Sequence, residues 1–297
     1  MLAIVGTVPD KNFPITHGLL SHEGNLLRIE NATIDINRGT PALMAAAVLT
    51  AEKLGAEAPY GFLVGDIGHG KGSRNLYKYL TEHIGEFDFD TLTFHYLQPI
   101  AHWHDRVLGA IKALHKKPVL IADAGFMYAA KMSGSAGSYD LFTPDLGELA
   151  FLADESSPHP FYTRGFILHE NNKAPELIKR AYTHNNAARN LLVKGRRDYV
   201  VREGKITATI SEPSVETLEP IGGTGDTITG IVSVLISAGY EIAKAAEIAA
   251  QTNRFAGQFS NPTPATSVSE IISYIPRALD ETLGDDLENI KEGSSRA

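Results

Sequence analysis

The residues best equipped for chemistry lie in one short stretch, Ile221-Gly222-Gly223-Thr224-Gly225-Asp226-Thr227, which leads into the apolar run Ile228–Ala238. Glycines let a backbone turn tightly and approach a ligand closely. A helix starting here would aim its unbonded N–H groups at the loop and form an anion site. Asp226 then has two readings. As a helix N-cap it would accept a backbone N–H. As a general base it would accept a hydroxyl proton while the loop amides hold a transferring phosphoryl group. Three glycines within four positions exceed what a cap requires, which favours the base.

A second glycine loop, Gly65-Asp66-Ile67-Gly68-His69-Gly70-Lys71-Gly72-Ser73, also follows a strand pattern and precedes a helical one. It fits GxxxxGK, but Gly72 stands where a P-loop needs a Ser or Thr hydroxyl for Mg²⁺. Ser73 comes one residue late, so the match is a near miss. His95, His102 and His104 are close in sequence, yet positions two apart diverge on a helix. They read as packed or solvated histidines and not as a metal site.

The elements that must position these loops alternate between short β-branched runs and longer helical patterns. Strands are expected at Leu2–Val5, Phe62–Val64, Leu92–Tyr96, Pro118–Ile121, Leu141-Phe142 and Leu191–Val193. Helices are expected from Thr40-Pro41 through Leu54, and at Asn75–Ile84, Trp103–Lys116 and Pro175–Asn185. Thr40 suits an N-cap and Pro41 the first turn, with Gly55 as the stop. Tyr199–Val201 and Ile206–Ile210 flank Gly204 as a hairpin. A long helical block runs from Thr227 to Phe259. Such alternation predicts a mostly parallel sheet covered on both faces, with ligands at the carboxyl ends of its strands. The segment 7–37 shows no pattern that places it.

At 297 residues the chain can bury about 75% of its unfolded surface, so it needs no staples. No internal repeat or composition shift divides it, so one domain is expected over residues 1–283. Residues 284–297, charged and carrying Gly293-Ser294-Ser295, read as an extension or tail. The net charge of −8 lacks the positive field that drives nucleic-acid or anionic-membrane binding. Cysteine is absent, which excludes disulfides and thiolate chemistry. No basic leader precedes the first apolar run, and no stretch nears the roughly 18 apolar residues of a membrane span. A cytoplasmic location is expected.

The stretch Leu191–Tyr240, with LLVKG, a hairpin and GGTGDTITGIVSVLISAGY, resembles the ribokinase-like superfamily. Within it the chain is most similar to the carbohydrate-kinase-type domain of ADP/ATP-dependent NAD(P)H-hydrate dehydratases. Thr143–Glu148 (TPDLGE) resembles that family's TPHPGE motif, Arg38–Leu43 its early glycine-plus-small-residue segment, and Ile271–Leu279 its C-terminal end. The likeness runs from about Gly39 to Leu279.

The resemblance implies a three-layer α/β/α fold with a mostly parallel central sheet. It implies ATP or ADP with Mg²⁺, a small-molecule substrate and self-association as a homo-oligomer. It casts Asp226 as catalytic acid or base, with Gly223, Thr224 and Gly225 as the anion hole. Lys194, Gly195 and Arg196 would line the adenine nucleotide, and Glu148 would act near Mg²⁺ through water. Gly68 and Gly70, Asp123 of the DADAL-like stretch, and Asp145 would face the substrate. Three positions depart from the pattern. Asp145 replaces the dehydratases' histidine, and an ionised aspartate accepts but cannot donate a hydrogen bond. Ile121 replaces the first aspartate of DADAL, and Asn253-Arg254 stands where His-Gly is frequent. The implied reaction is phosphorylation of a substrate hydroxyl followed by elimination. The alternatives are a kinase of a small hydroxylated metabolite (a sugar or vitamin precursor) and a non-catalytic nucleotide-binding regulator.

Overall fold

The computed structural model describes residues 1–157, 159, 160 and 174–284. The tail expected beyond Gly284 therefore lies outside the described residues. The first elements are β1 (Leu2–Val8), β2 (Thr16–Glu23), β3 (Leu26–Ile29), β4 (Ala32–Asp35), α1 (Thr40–Leu54) and β5 (Tyr60–Gly65). Then come α2 (Lys71–His83), β6 (Thr91–Phe94), α3 (Ala101–Ala113), β7 (Val119–Ala122), α4 (Ala124–Met132), β8 (Leu141–Phe142) and α5 (Leu146–Ala153). After these follow α6 (Ala174–Thr183), β9 (Asn190–Val193), β10 (Asp198–Arg202) and β11 (Lys205–Ile210). The last are α7 (Thr224–Ser237), α8 (Ile242–Phe259), α9 (Val268–Ile272) and α10 (Ile275–Leu283).

Contacts group the described residues into two compact units where the sequence shows no compositional boundary. One holds residues 3–16 and 62–209; the other holds 1–2, 17–61 and everything from 210 onward. In the first unit neighbouring strands run β11-β10-β9-β8-β7-β6-β1-β5. Strands β6 to β9 are parallel, with Leu92 opposite Leu120, Ile121 opposite Leu141 and Leu141 opposite Asn190. Every residue of β6 and β9 is buried, as in a parallel sheet covered on both faces. The hairpin partner β10 returns antiparallel, with Val200 opposite Leu192.

In the second unit β2, β3 and β4 form an antiparallel meander, with Leu20 opposite Ile29 and Leu27 opposite Ile34. Helices α1 and α7 pack closely here. A Cβ on Gly230 would sit 2.2 Å from the Leu43 carbonyl oxygen, so only glycine lets the two backbones meet. Both helices are buried along most of their length, which is why their apolar residues show no single stripe.

Three local expectations change. Thr40 is the first helical residue of α1 and not its cap; Gly39, at φ 70°, takes the N-cap place without a side-chain bond. The block 227–259 is two helices, broken where Gly239 adopts φ 95°. The meander β2–β4 occupies a segment in which the sequence showed no pattern.

Candidate functional site

The loop that opens α7 is built as the glycines suggest. Gly223 is the N-cap, with φ 102° in the left-handed region, and no side chain caps the helix. A Cβ there would also press on Val268 and on the Arg38 backbone, at 3.1 and 3.2 Å. Thr224 and Gly225 form the half-buried first turn. Thr227 and Asn253 brace that turn: Asn253 Nδ2 donates to the Thr224 carbonyl at 3.1 Å and Thr227 Oγ1 donates to Asn253 Oδ1 at 2.6 Å. Asn253 thus does structural work at the position where the resembled family often has histidine.

Asp226 is buried in this first turn, but it is not the cap of its own helix. Its Oδ2 accepts the Gly39 N–H at 2.7 Å. Two helices whose N-termini carry no side-chain cap, α1 and α7, therefore meet at one carboxylate. Their dipoles place partial positive charge on the same spot. The Arg38 guanidinium adds a full charge, lying 3.7 Å from where a Cβ on Gly222 would be. Unbonded amides, two helix dipoles and an arginine suit a multiply charged anion.

In the unit of residues 62–209, Asp123 sits at the corner between β7 and α4. Its side chain caps α4 by accepting the Ala124 N–H at 2.9 Å. The corner is tight: Ala124 adopts φ 48°, and a Cβ on Gly125 would lie 2.1 Å from the Leu97 carbonyl oxygen. Such left-handed non-glycine residues cost energy and gather at functional sites. Lys194, at the end of β9, reaches both Asp123 oxygens with Nζ, at 3.0 and 2.8 Å. His95 Nε2 lies 3.7 Å from the same carboxylate. All three side chains are buried.

Asp145 and Glu148 form a capping box on α5. Asp145 Oδ1 accepts the Glu148 N–H at 2.7 Å, and Glu148 Oε2 accepts the Asp145 N–H at 2.8 Å. The Tyr128 hydroxyl points at Glu148 Oε1 from 3.4 Å. Burial, and then the negative charges of Asp123 and Asp145, push the Glu148 carboxyl up to about 8, against the pull of Lys194. It can therefore hold or release a proton near neutral pH. Gly195 donates its N–H to Asp198 Oδ1 at 3.0 Å, and Arg196 stands exposed in the following turn.

The loop 65–73 has a different content. Asp66 Oδ1 accepts the N–H groups of Gly68 and Gly70 at 3.0 and 2.9 Å. Its Oδ2 accepts the Ser73 N–H and hydroxyl, both at 2.8 Å. Burial opposes ionisation, but the Ser73, Gly70 and Gly68 bonds outweigh it and hold this carboxyl below its ordinary value. The amides of Gly68 and Gly70 are thus turned onto the protein's own carboxylate.

The structure brings Asp123 and Lys194 together, and Asp145 with Glu148. It clusters Gly223, Thr224, Gly225 and Asp226. Reading by sequence placed Arg38 and Gly39 in a resembled segment without giving either a role, and did not single out Tyr128. Local spacing carries no signal for the Gly39–Asp226 bond, whose partners lie 187 positions apart.

Known structures share this fold. The phosphofructokinase-2 of Escherichia coli, solved with fructose-6-phosphate, superimposes with a TM-score of 0.55 at 12% identity, over 94% of this chain and 99% of its own. A ribokinase-like superfamily protein of Enterococcus faecalis gives 0.56 at 13% identity, over 95% and 87%. The ADP complex of Bacillus subtilis pyridoxal kinase gives 0.50 at 15%, over 84% and 88%. The fold is therefore ribokinase-like, with a mixed, mostly parallel sheet. The chain belongs to the Carb_kinase family, described as NAD(P)H-hydrate dehydratase, whose profile matches residues 102–277, more than half its length. It is a kinase- or dehydratase-like enzyme of that family. It is also 41% identical over 242 residues to the uncharacterized protein MJ1337 of Methanocaldococcus jannaschii, spanning 81% of this chain and all of the relative. No helix among the described residues is long and apolar enough to cross a membrane.

Proposed function

We propose that this protein dehydrates NAD(P)H hydrate in a reaction driven by ATP or ADP. The observation that carries the reading is Asp226, buried beside the uncapped start of α7 yet not used as its cap. Asp226 takes the proton of the hydrate hydroxyl as that oxygen attacks the terminal phosphorus of the nucleotide. The bond from that phosphorus to the bridging oxygen breaks and the shortened nucleotide leaves. The amides of Gly223, Thr224 and Gly225 hold the transferring phosphoryl group, whose charge the helix dipoles and Arg38 offset. The C–O bond of the phosphate ester then breaks and inorganic phosphate leaves with the bonding pair, water takes the proton of the neighbouring carbon, and the C–H pair restores the C=C bond of the reduced nicotinamide ring.

Mg²⁺, when bound, supplies further charge neutralisation at the phosphates. Glu148 fits a contact through water. Both of its oxygens already face donors, the Asp145 N–H and the Tyr128 hydroxyl, and a nearby cation would favour its ionised form. Asp123 serves as a hydroxyl acceptor on the substrate, and Arg196 as an exposed contact for nucleotide. An acidic, cysteine-free chain suits a cytoplasmic enzyme of this kind.

The test supplies NADH hydrate with ATP or ADP and Mg²⁺, and follows the return of the near-ultraviolet absorbance of reduced nicotinamide. Nucleotide-dependent recovery of that absorbance supports the reading; its absence with both nucleotides defeats it. One observation favours a second reading. Asp145 is bound into the capping box and presents no donor in the place of the dehydratases' histidine. A kinase of a small hydroxylated metabolite would accumulate a stable phosphate ester without elimination, which mass spectrometry of the products detects.

A further inference from the structure

We infer that Lys194 is a positioning residue for the Asp123 carboxylate and takes no part in holding the nucleotide. An ammonium has three donors, and two hydrogen bonds from Nζ reach the two Asp123 oxygens. Both side chains are buried, Lys194 with 10% and Asp123 with 1% of its side chain exposed. A lysine withdrawn toward a phosphate would leave Asp123 buried without its cation, which is strongly unfavourable.

The backbone fixes both partners. The Lys194 N–H donates to the Pro144 carbonyl at 2.8 Å, which ties the end of β9 to the approach to α5. The Asp123 N–H donates to the Phe94 carbonyl at 2.9 Å, at the end of β6. The left-handed Ala124 and the contact of Gly125 with Leu97 then turn the chain sharply into α4. The result is a carboxylate held at the carboxyl end of a parallel strand, where α/β sheets bind ligands. An ionised carboxylate accepts and never donates, so the group it would recognise is a hydroxyl or N–H of the substrate. This role for Asp123 rests on the reading given under Proposed function; the pairing with Lys194 does not.

The test uses the full chain as wild type, Lys194→Arg, Lys194→Met, Asp123→Asn and the Lys194→Met/Asp123→Asn double variant. ADP with Mg²⁺ is titrated by calorimetry, stability is read by urea denaturation, and hydrate turnover is split into kcat and KM. In the double variant the unpaired charge is gone, so it should fold and bind ADP within about twofold of wild type, with the hydrate KM raised at least tenfold. Lys194→Arg should restore most of the KM that Lys194→Met loses. A tenfold loss of ADP affinity in the double variant would overturn the inference, as would a hydrate KM unchanged by Lys194→Met. If the wild type binds ADP but does not turn over hydrate, the functional reading falls alone and the ADP titration still decides Lys194. If the wild type binds no ADP, denaturation decides: instability of Lys194→Met repaired by Asp123→Asn upholds the pairing, and instability left unrepaired overturns it.

Discussion

Two glycine loops in this molecule look alike in sequence and differ in what fills them. Each follows strand or turn residues, opens a helix and begins that helix at a left-handed glycine, Gly70 for α2 and Gly223 for α7. In the first, Asp66 folds back and satisfies the amides of Gly68, Gly70 and Ser73. In the second, Asp226 Oδ2 accepts the Gly39 N–H, and the first turn carries no side-chain cap. The two loops therefore differ in whether an internal carboxylate already satisfies the amides of the helix start. Packing deepens the contrast. A Cβ on Gly72 would lie 2.0 Å from the Gly65 carbonyl oxygen, whereas the atoms nearest to one on Gly222 belong to the Arg38 side chain, at 3.7 Å.

The largest effect is expected at Asp226. Asp226→Asn keeps an oxygen for the Gly39 N–H but loses proton acceptance, so turnover should fall about 10²–10⁴-fold, or roughly 3–5 kcal/mol of barrier. Nucleotide affinity, measured by calorimetry, should change little if, as proposed, backbone amides hold the phosphates. Near-wild-type turnover would return Asp226 to a purely structural tie. Next, Gly72→Ala should destabilise the fold by about 3 kcal/mol in urea denaturation, since the new methyl group meets a backbone carbonyl. Gly222→Ala should cost less than about 0.5 kcal/mol in the same measurement. Equal costs would erase the contrast between the loops.

Asp66→Ala should cost about 2 kcal/mol, because it leaves the amides of Gly68, Gly70 and Ser73 without their acceptor. Calorimetric titration with inorganic phosphate would sharpen the comparison: the variant should gain a weak site that the wild type lacks. The remaining effects concern pH. The Asp66 carboxyl is held below its ordinary value of 3.8, so its contribution to stability is present above that pH and lost as the pH falls through its lower folded value. Glu148 has the opposite sign. Its folded value lies near 8 against an ordinary 4.5, so stability from this group is full below 4.5 and is lost as pH rises toward 8. Denaturation of Glu148→Gln across this range should remove that alkaline decline.

Local patterns were legible wherever the cause is local. The parallel strands β6 to β9 follow from short apolar runs, and α1 from Pro41, a run of alanines and Gly55. The D-x-x-E spacing of Asp145 and Glu148 is a capping-box signature, and it became one. The meander β2–β4 was not legible, because THGLLSHE mixes polar and apolar residues without a clean period. The helix α4 was hidden by Ala124-Gly125, whose corner geometry depends on Leu97 and not on propensity. At the site, the glycines announced a tight helix start, but the partner of Lys194 lies 71 positions away. Pairing through space leaves no trace in spacing, so the buried Lys194–Asp123 ion pair was not legible in the sequence.

The account stands on the claim that the loop before α7, and not the loop before α2, receives the phosphates. Backbone amide NMR of the isotope-labelled protein during titration with ADP and Mg²⁺ tests it most directly. The amide resonances of Gly223, Thr224 and Gly225 should shift with saturating behaviour while those of Gly68, Gly70 and Ser73 stay in place. Saturating shifts confined to Gly68, Gly70 and Ser73 would contradict it and make the 65–73 loop the phosphate cradle.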